Sequence, residues 1–217
     1  MFTGLADNTN PRSLASRLRR RRLAFFSSLL ARVPDPVNIL DVGGSLPFWK
    51  HAPLPPDRQI RITLLNLSAV TASDPSIHSL VADACQIPAH AGAFDVVFSN
   101  SVIEHVGGPR EQRRMADEVR RVGKRYFVQT PNRYFPIEPH FVFPLYQFLP
   151  NAIQVWLLRN FDLGWIRRAR SARQAGEIIS GIRLLHRAQI RDLFPGADIF
   201  EEKLLGFTKS FIAYGGW

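Results

Sequence analysis

The sequence predicts an α/β fold: a doubly wound seven-stranded sheet, mostly parallel, with an antiparallel C-terminal strand and helices on both faces. Two observations carry this. Short runs rich in β-branched and aliphatic residues alternate with helical runs along most of the chain. Several of the short runs are apolar nearly throughout, as strands covered on both faces are. The length of 217 residues suits one domain with a small appendage, at about 150 residues per domain.

The first element is a basic helix. Arg17 to Arg22 read R-L-R-R-R-R, flanked by Arg12 and Arg32. Leu14, Leu18, Phe25, Leu29 and Val33 fall near one face of a 3.6-residue period, with Phe26 and Leu30 beside them. The pattern predicts an amphipathic helix over Arg12 to Val33, entered at Asn10-Pro11 and ended by Pro34 and Pro36. Residues 1–36 thus form an N-terminal appendage to a domain over 37–217. Its arginines are expected in water over a packed apolar face, or against phosphate or lipid headgroups. The arginine run before Leu23 to Ala31 imitates a secretion signal. Ser27 and Ser28 interrupt it, and it leads into the first core strand, which favours a cytoplasmic chain.

Strands are expected at Val37 to Val42, Ile60 to Asn66, Ile77 to Ala82, Phe94 to Ser99 and Arg125 to Thr130. A helix over Pro109 to Arg121 has Met115, Val119 and Val122 on one side and charges on the other. The tail holds a short helix, Arg187 to Phe194, then strands Ala197 to Leu205 and Lys209 to Tyr214, with no helix between them. That pair reads as an antiparallel edge hairpin. Between the fifth strand and the tail lies an aromatic insertion, at about 134–170. Within it, Phe141 to Leu158 carries no formal charge over eighteen residues, near the lower limit of a membrane span. Pro144, Gln147, Pro150, Asn151 and Gln154 oppose a spanning helix. The aromatics run on through Phe161 and Trp165 into Arg167, Arg168 and Arg170, a composition that fits a lid over a pocket or contact with a membrane surface.

Composition narrows the chemistry. With 28 Lys plus Arg against 18 Asp plus Glu, the net charge of +10 draws the chain to nucleic acid, acidic lipid or a phosphorylated substrate. The single Cys85 excludes an internal disulfide framework and a multi-cysteine zinc site. Six His without a Cys or carboxylate cluster at ligand spacing give no expectation of a metal. Ligands of such sheets sit at the carboxyl ends of the strands. Three successive ends carry suitable residues: Asp41-Val42-Gly43-Gly44-Ser45, then Asn66, then Asp83-Ala84 with Ile87-Pro88 beyond. Glycine at such a bend lets backbone approach a ligand and adopts positive φ freely. The loop lacks the G-x-G-x-x-G of dinucleotide sites, which disfavours a nicotinamide oxidoreductase.

These motifs resemble those of the class I S-adenosylmethionine-dependent methyltransferases, particularly their small-molecule, type 11-like branch. ILDVGG is similar to that family's first motif, and VADACQIPAHAGAFDVVFSNSVIEHV to its next block. YFVQT, TPNRYFPIEPH and the tail LFPGADIFEEKLLGFTKSFIAY continue the order over roughly residues 35–215. The resemblance implies a Rossmann-like fold, the cofactor S-adenosyl-L-methionine and the product S-adenosyl-L-homocysteine. By position, Asp41, Gly43 and Gly44 would border the methionine end. Asn66 would hold the ribose and Asp83 the adenine amino group, with Ala84 and Ile87 lining the ring. Ser99 and Asn100 would stand beside the sulfonium. Ser45 and Asn66 depart from the common Gly and carboxylate, and a neutral hydrogen bond is weaker than a charged one, about 0.5–1.5 against 1.5–3 kcal/mol.

An oxygen acceptor needs a general base, for which His105, His140 and Glu138 are candidates. Glu104 reads as structural; Phe48, Trp49 and Tyr134 line the acceptor pocket or pack the core. Base-amino methylation would call for an Asn/Asp-Pro-Pro-aromatic loop where this chain has Ser99-Asn100-Ser101-Val102, which moves nucleic acid down the order of partners. A small-molecule, glycan or lipid-linked acceptor, methylated at oxygen, fits better, with a peripheral position at an anionic membrane surface. The rival is a binding or scaffold protein of the same fold that has lost catalysis.

Overall fold

The computed structural model describes residues 13–50, 52, 54, 55, 57–71 and 74–217. The expected helix entry at Asn10-Pro11 and its first residue Arg12 lie outside the described residues. Helix α1 spans Leu14–Leu30, its first turn capped by the Ser13 hydroxyl, which accepts from the Ser16 amide at 3.0 Å. Strand β1 (Val37–Val42) leads to a short helix α2 (Leu46–Lys50). Strands β2 (Ile60–Asn66), β3 (Ile77–Val81) and β4 (Val96–Asn100) follow, then helix α3 (Pro109–Val122) and strand β5 (Tyr126–Pro131). The insertion contributes a two-residue pair, β6 (Ile137–Glu138) and β7 (Phe143–Pro144), and helices α4 (Asn151–Asn160) and α5 (Ala172–Ser180). Helix α6 (Arg187–Leu193) and strands β8 (Asp198–Leu204) and β9 (Phe207–Gly215) complete the chain.

The main sheet has the order β3-β2-β1-β4-β5-β9-β8. Every neighbour from β3 to β5 is parallel, while β9 runs antiparallel to both β5 and β8. The expected seven-stranded sheet with one reversed C-terminal strand is therefore present. A two-residue turn joins β8 to β9, with Leu205 at φ 51° and Gly206 at φ 84°, the twist that tight hairpins favour.

Alternation along the strands splits the core. Val37 and Ile39 of β1 face α1, joining Phe26, Leu29 and Leu30 with Phe98 of β4 and Phe127 of β5. Leu40 and Val42 face the opposite layer, against Met115, Ala116 and Val119 of α3 and Ile190 and Leu193 of α6. The basic helix is thus one wall of the domain. The insertion builds a third, smaller core around Phe141, Tyr146, Leu158 and Ala175. Its uncharged stretch is broken into β7, a 3-10 turn at Tyr146–Phe148 and α4. Among the described residues no helix is long and apolar enough to cross a membrane. Gln154, one of the polar residues opposing a span, is buried and donates to the Tyr146 and Leu149 carbonyls at 2.9 and 3.0 Å.

Phe26 is fully buried, with ring centroids 4.8 Å from Phe98 and 5.2 Å from Phe127. Phe26→Ala is expected to cost about 3–5 kcal/mol of stability, read as a fall in the urea midpoint. A loss below about 1 kcal/mol would mean that α1 is not part of the cooperative core.

Candidate active site

The turn after β1 is dictated by crowding. Gly43 has φ +74°, and a Cβ there would lie 2.5 Å from Val102 Cγ2. A Cβ on Gly44 would meet Asp41 Oδ2 at 1.9 Å. The two glycines let the loop fold onto the Asp41 carboxylate, which the Trp49 indole N–H holds at 2.6 Å. Burial pushes the Asp41 carboxyl up to about 8, against the opposing pull of that hydrogen bond. The Asn66 side-chain amide donates to the Gly44 carbonyl at 3.0 Å. An aspartate could not make this bond, so the neutral residue ties the end of β2 to the glycine turn and keeps Oδ1 as acceptor.

Other candidates fall along the same edge. Asp83 is exposed and accepts from the Cys85 amide at 2.8 Å, while Ala84 and Ile87 are buried in the layer beneath. Ser99 is fully buried at the end of β4, and its hydroxyl has no partner. Asn100 is held by an unexpected residue. Arg22, the last residue of the basic run, is buried and reaches the sheet edge. Its Nη1 donates to Asn100 Oδ1 and, at 3.1 Å, to Gln129 Oε1. Its Nε and Nη2 donate to the two carboxylate oxygens of Glu202 at 3.0 and 2.5 Å. Burial opposes the Glu202 charge, but Arg22 holds this carboxyl below its ordinary value. For Arg22 the expectation of an arginine in water, or on an external headgroup, is corrected.

The three proposed proton-handling residues come together. Glu138 is buried on β6, and both its oxygens are engaged. Oε1 lies 2.7 Å from His140 Nδ1, and Oε2 accepts from the His140 and Phe141 amides, both at 2.7 Å. His140 Nε2 stands 3.0 Å from His105 Nε2, the rings edge to face. Desolvation works against a charge on His140, but the hydrogen bond and charge of Glu138 prevail and raise its pKa. The His105 pKa is lowered, by burial of part of its ring and then by His140. Glu104, read from sequence as structural, lies within this cluster. Its Oε2 accepts from the Thr130 hydroxyl at 2.8 Å, and its buried Oε1 has no partner. Burial raises its carboxyl to about 7.

A family described as a methyltransferase domain matches residues 58–126. That match spans about a third of the chain. Solved methyltransferases share its fold at low identity. An S-adenosylmethionine-dependent methyltransferase from Methanosarcina mazei is 13% identical with a TM-score of 0.54, covering 86% of this chain and 95% of that one. Phosphoethanolamine N-methyltransferase 2 of Haemonchus contortus, solved with S-adenosylhomocysteine, is 14% identical with a TM-score of 0.53, covering 83% of this chain and 38% of that one. Two uncharacterized Mycobacterium tuberculosis proteins are 43% identical over 53 residues, 24% of this chain and only 18% of their own length.

Trp49 and Phe48 join the core side of the glycine turn, where Trp49 packs on Phe26 and Phe98. Tyr134 stays exposed, stacked on His186 and Phe148. Arg22, Gln129 and Glu202 were not singled out from sequence. One signal was legible for Arg22: it stands four residues from both Leu18 and Phe26, on the buried face of α1.

The raised Asp41 pKa fixes the sign of a pH effect. A proton bound more tightly in the folded chain stabilises it fully below about pH 4 and is lost as pH rises through about 8. Asp41→Asn is expected to raise stability at pH 9, on the order of 2 kcal/mol, and to change little at pH 4. Urea midpoints that shift equally at both pH values would overturn this.

Proposed function

We propose that the protein transfers a methyl group from S-adenosylmethionine to an oxygen of a small-molecule, glycan or lipid-linked acceptor. One observation carries the reading. The crowded glycine turn over Asp41, and a carboxylate–histidine–histidine series, stand at the same carboxyl edge of a methyltransferase-type sheet. The residues fit the cofactor: Asn66 keeps a free acceptor, and the buried Ser99 hydroxyl lacks a partner. Asp83 would take the adenine amino group beside Ala84 and Ile87. Asp41 and Asn100 would border the methionine and sulfonium end.

When bound, the cofactor supplies an activated methyl group on a sulfonium. The protein's part is to hold the acceptor oxygen in line, worth up to about 7–11 kcal/mol, and to accept its proton. Glu138 holds His140 in one orientation, and His140 faces His105 at the solvent edge. A His105 kept neutral is suited to take that proton, with His140 and Glu138 spreading the resulting charge. A cavity of about 200 Å³ beside Glu138, bordered by Arg133, Tyr146 and Arg183, offers room for an anionic part of an acceptor.

The insertion supports an acceptor presented at a lipid surface. Leu145, Phe148, Trp156, Phe161 and Trp165 are exposed, and Arg159, Arg167, Arg168 and Arg170 line a surface depression with one acid, Asp162. As a lid it would join pocket and membrane.

Calorimetric titration should detect binding of S-adenosylmethionine and S-adenosylhomocysteine, weakened about tenfold by Asp83→Ala. Absence of binding to either would favour the scaffold reading. In co-sedimentation, the protein should follow anionic vesicles more than neutral ones, and Trp156→Ala/Trp165→Ala should release it. Indifference to lipid charge would remove the membrane part of the proposal.

A further inference from the structure

We propose that Glu104, His105 and His140 form a binding site for a divalent transition-metal ion of the zinc class, with Glu138 as its outer support. Sequence spacing gave no expectation of a metal, and the tertiary structure revises that reading. His105 follows β4, whereas His140 arrives from the insertion after β5, so no local motif joins them. In the fold, one ligand atom from each of the three residues lies within 4.8 Å of the others.

Three features point to a cation. First, the two Nε2 atoms face each other at 3.0 Å. Glu138 Oε1 engages Nδ1 of His140, the arrangement that leaves Nε2 as a lone pair. Two ring nitrogens facing each other at this distance leave room for at most one proton between them, a place that a metal ion can take instead. Second, a shared proton leaves Glu104 Oε1 without a partner, although that oxygen is buried and its residue fully enclosed. An orphaned buried carboxylate oxygen is costly. A cation satisfies both imidazoles and the carboxylate together. Third, the supports are already built. Glu138 is spent on His140 and two backbone amides, and Thr130 fixes the other oxygen of Glu104. Hydrogen-bonded ligands of this kind are how proteins orient imidazole and carboxylate toward a metal.

The donor set selects the ion. Two imidazole nitrogens and one carboxylate oxygen suit zinc and its first-row neighbours better than calcium or magnesium. Tetrahedral zinc with bonds of about 2.0–2.1 Å places two nitrogens roughly 3.3 Å apart, a few tenths of an ångström from the observed spacing. Three protein ligands leave a position open. On the methyl-transfer reading, which this role rests on, the acceptor oxygen would occupy that position, the cation would lower its pKa, and its proton would pass to solvent, His105 then acting as ligand rather than base.

The test uses the full chain, stripped with a chelator and titrated with Zn²⁺ by calorimetry and with Co²⁺ by visible absorption. The expected result is one ion per chain, with imidazole-coordinated cobalt bands. His140→Ala and Glu104→Gln should each weaken binding at least tenfold, and Glu138→Gln should weaken it by about 10–100-fold while keeping the stoichiometry. His90→Ala, away from the cluster, should bind as the parent does. Circular dichroism melts establish that each variant is folded; a variant that is not is replaced by His105→Gln, which is expected to show the same loss. No stoichiometric binding by the parent chain, or binding that His140→Ala and His105→Gln leave unchanged, would overturn the proposal. The titration needs neither cofactor nor acceptor. A chain that binds metal but not S-adenosylmethionine would sink the proposed activity and leave this site standing, and the converse result would do the reverse.

Discussion

The sheet edge that carries the candidate site is braced by one buried ion pair. Arg22 of α1 and Glu202 of β8 meet through two hydrogen bonds, at 3.0 and 2.5 Å, with side chains 8% and 4% exposed. Removing two charges from water is expensive, and breaking such a pair by deleting one partner typically costs about 3–5 kcal/mol. Here the remaining capacity is used: Arg22 also reaches Asn100 and Gln129, and Ser210 donates to Glu202. Elements far apart in sequence are thereby fixed to one another, and the end of β4 is set where the candidate cofactor site lies. The same pair explains why α1 is a wall of the domain. Its apolar side needs the sheet, and its one buried guanidinium needs the far hairpin.

The second constraint is the crowding at β1. Gly43 and Gly44 leave no room for a side chain because Val102 and the Asp41 carboxylate already fill it. Asp41 is consequently desolvated, and Trp49 is recruited to hydrogen-bond it. Next to this dry cluster lies a polar one, where Glu138 and His140 from the insertion meet Glu104 and His105 from the end of β4. The insertion therefore does more than cover the sheet: it completes the polar cluster, and its small core of Phe141 and Tyr146 holds β6 in place. Outside that core Phe148, Trp156, Phe161 and Trp165 are exposed, and Arg159, Arg167, Arg168 and Arg170 line a surface depression with Asp162.

Much of this was legible before the fold was known. Strand positions were readable within one or two residues, because strands buried on both faces leave near-continuous apolar runs. The reversed C-terminal strand followed from two strands with no helix between them. The glycine turn, Asn66 and Asp83 were legible as a repeated pattern at successive strand ends. Helix α4 was not, because Pro144, Pro150 and the mixed aromatic run give no single period. Asn66 was read as a weakened ribose ligand; its amide bond to the Gly44 carbonyl gives it a second purpose that only proximity discloses.

The sequence alone determined the class of fold, the edge at which the candidate ligand-binding residues gather and the three candidate proton carriers. It could do so because burial imposes periodicity on the chain and turns demand particular residues, both of which are local effects. Only the tertiary structure decided that one arginine of a basic run is buried, that His105 and His140 touch, and that Glu104 belongs with them. Those outcomes depend on pairing charges and lone pairs brought together from distant segments: Arg22 and Glu202 are 180 residues apart, and His105 and His140 are 35. Electrostatic satisfaction of that kind leaves no period in the sequence.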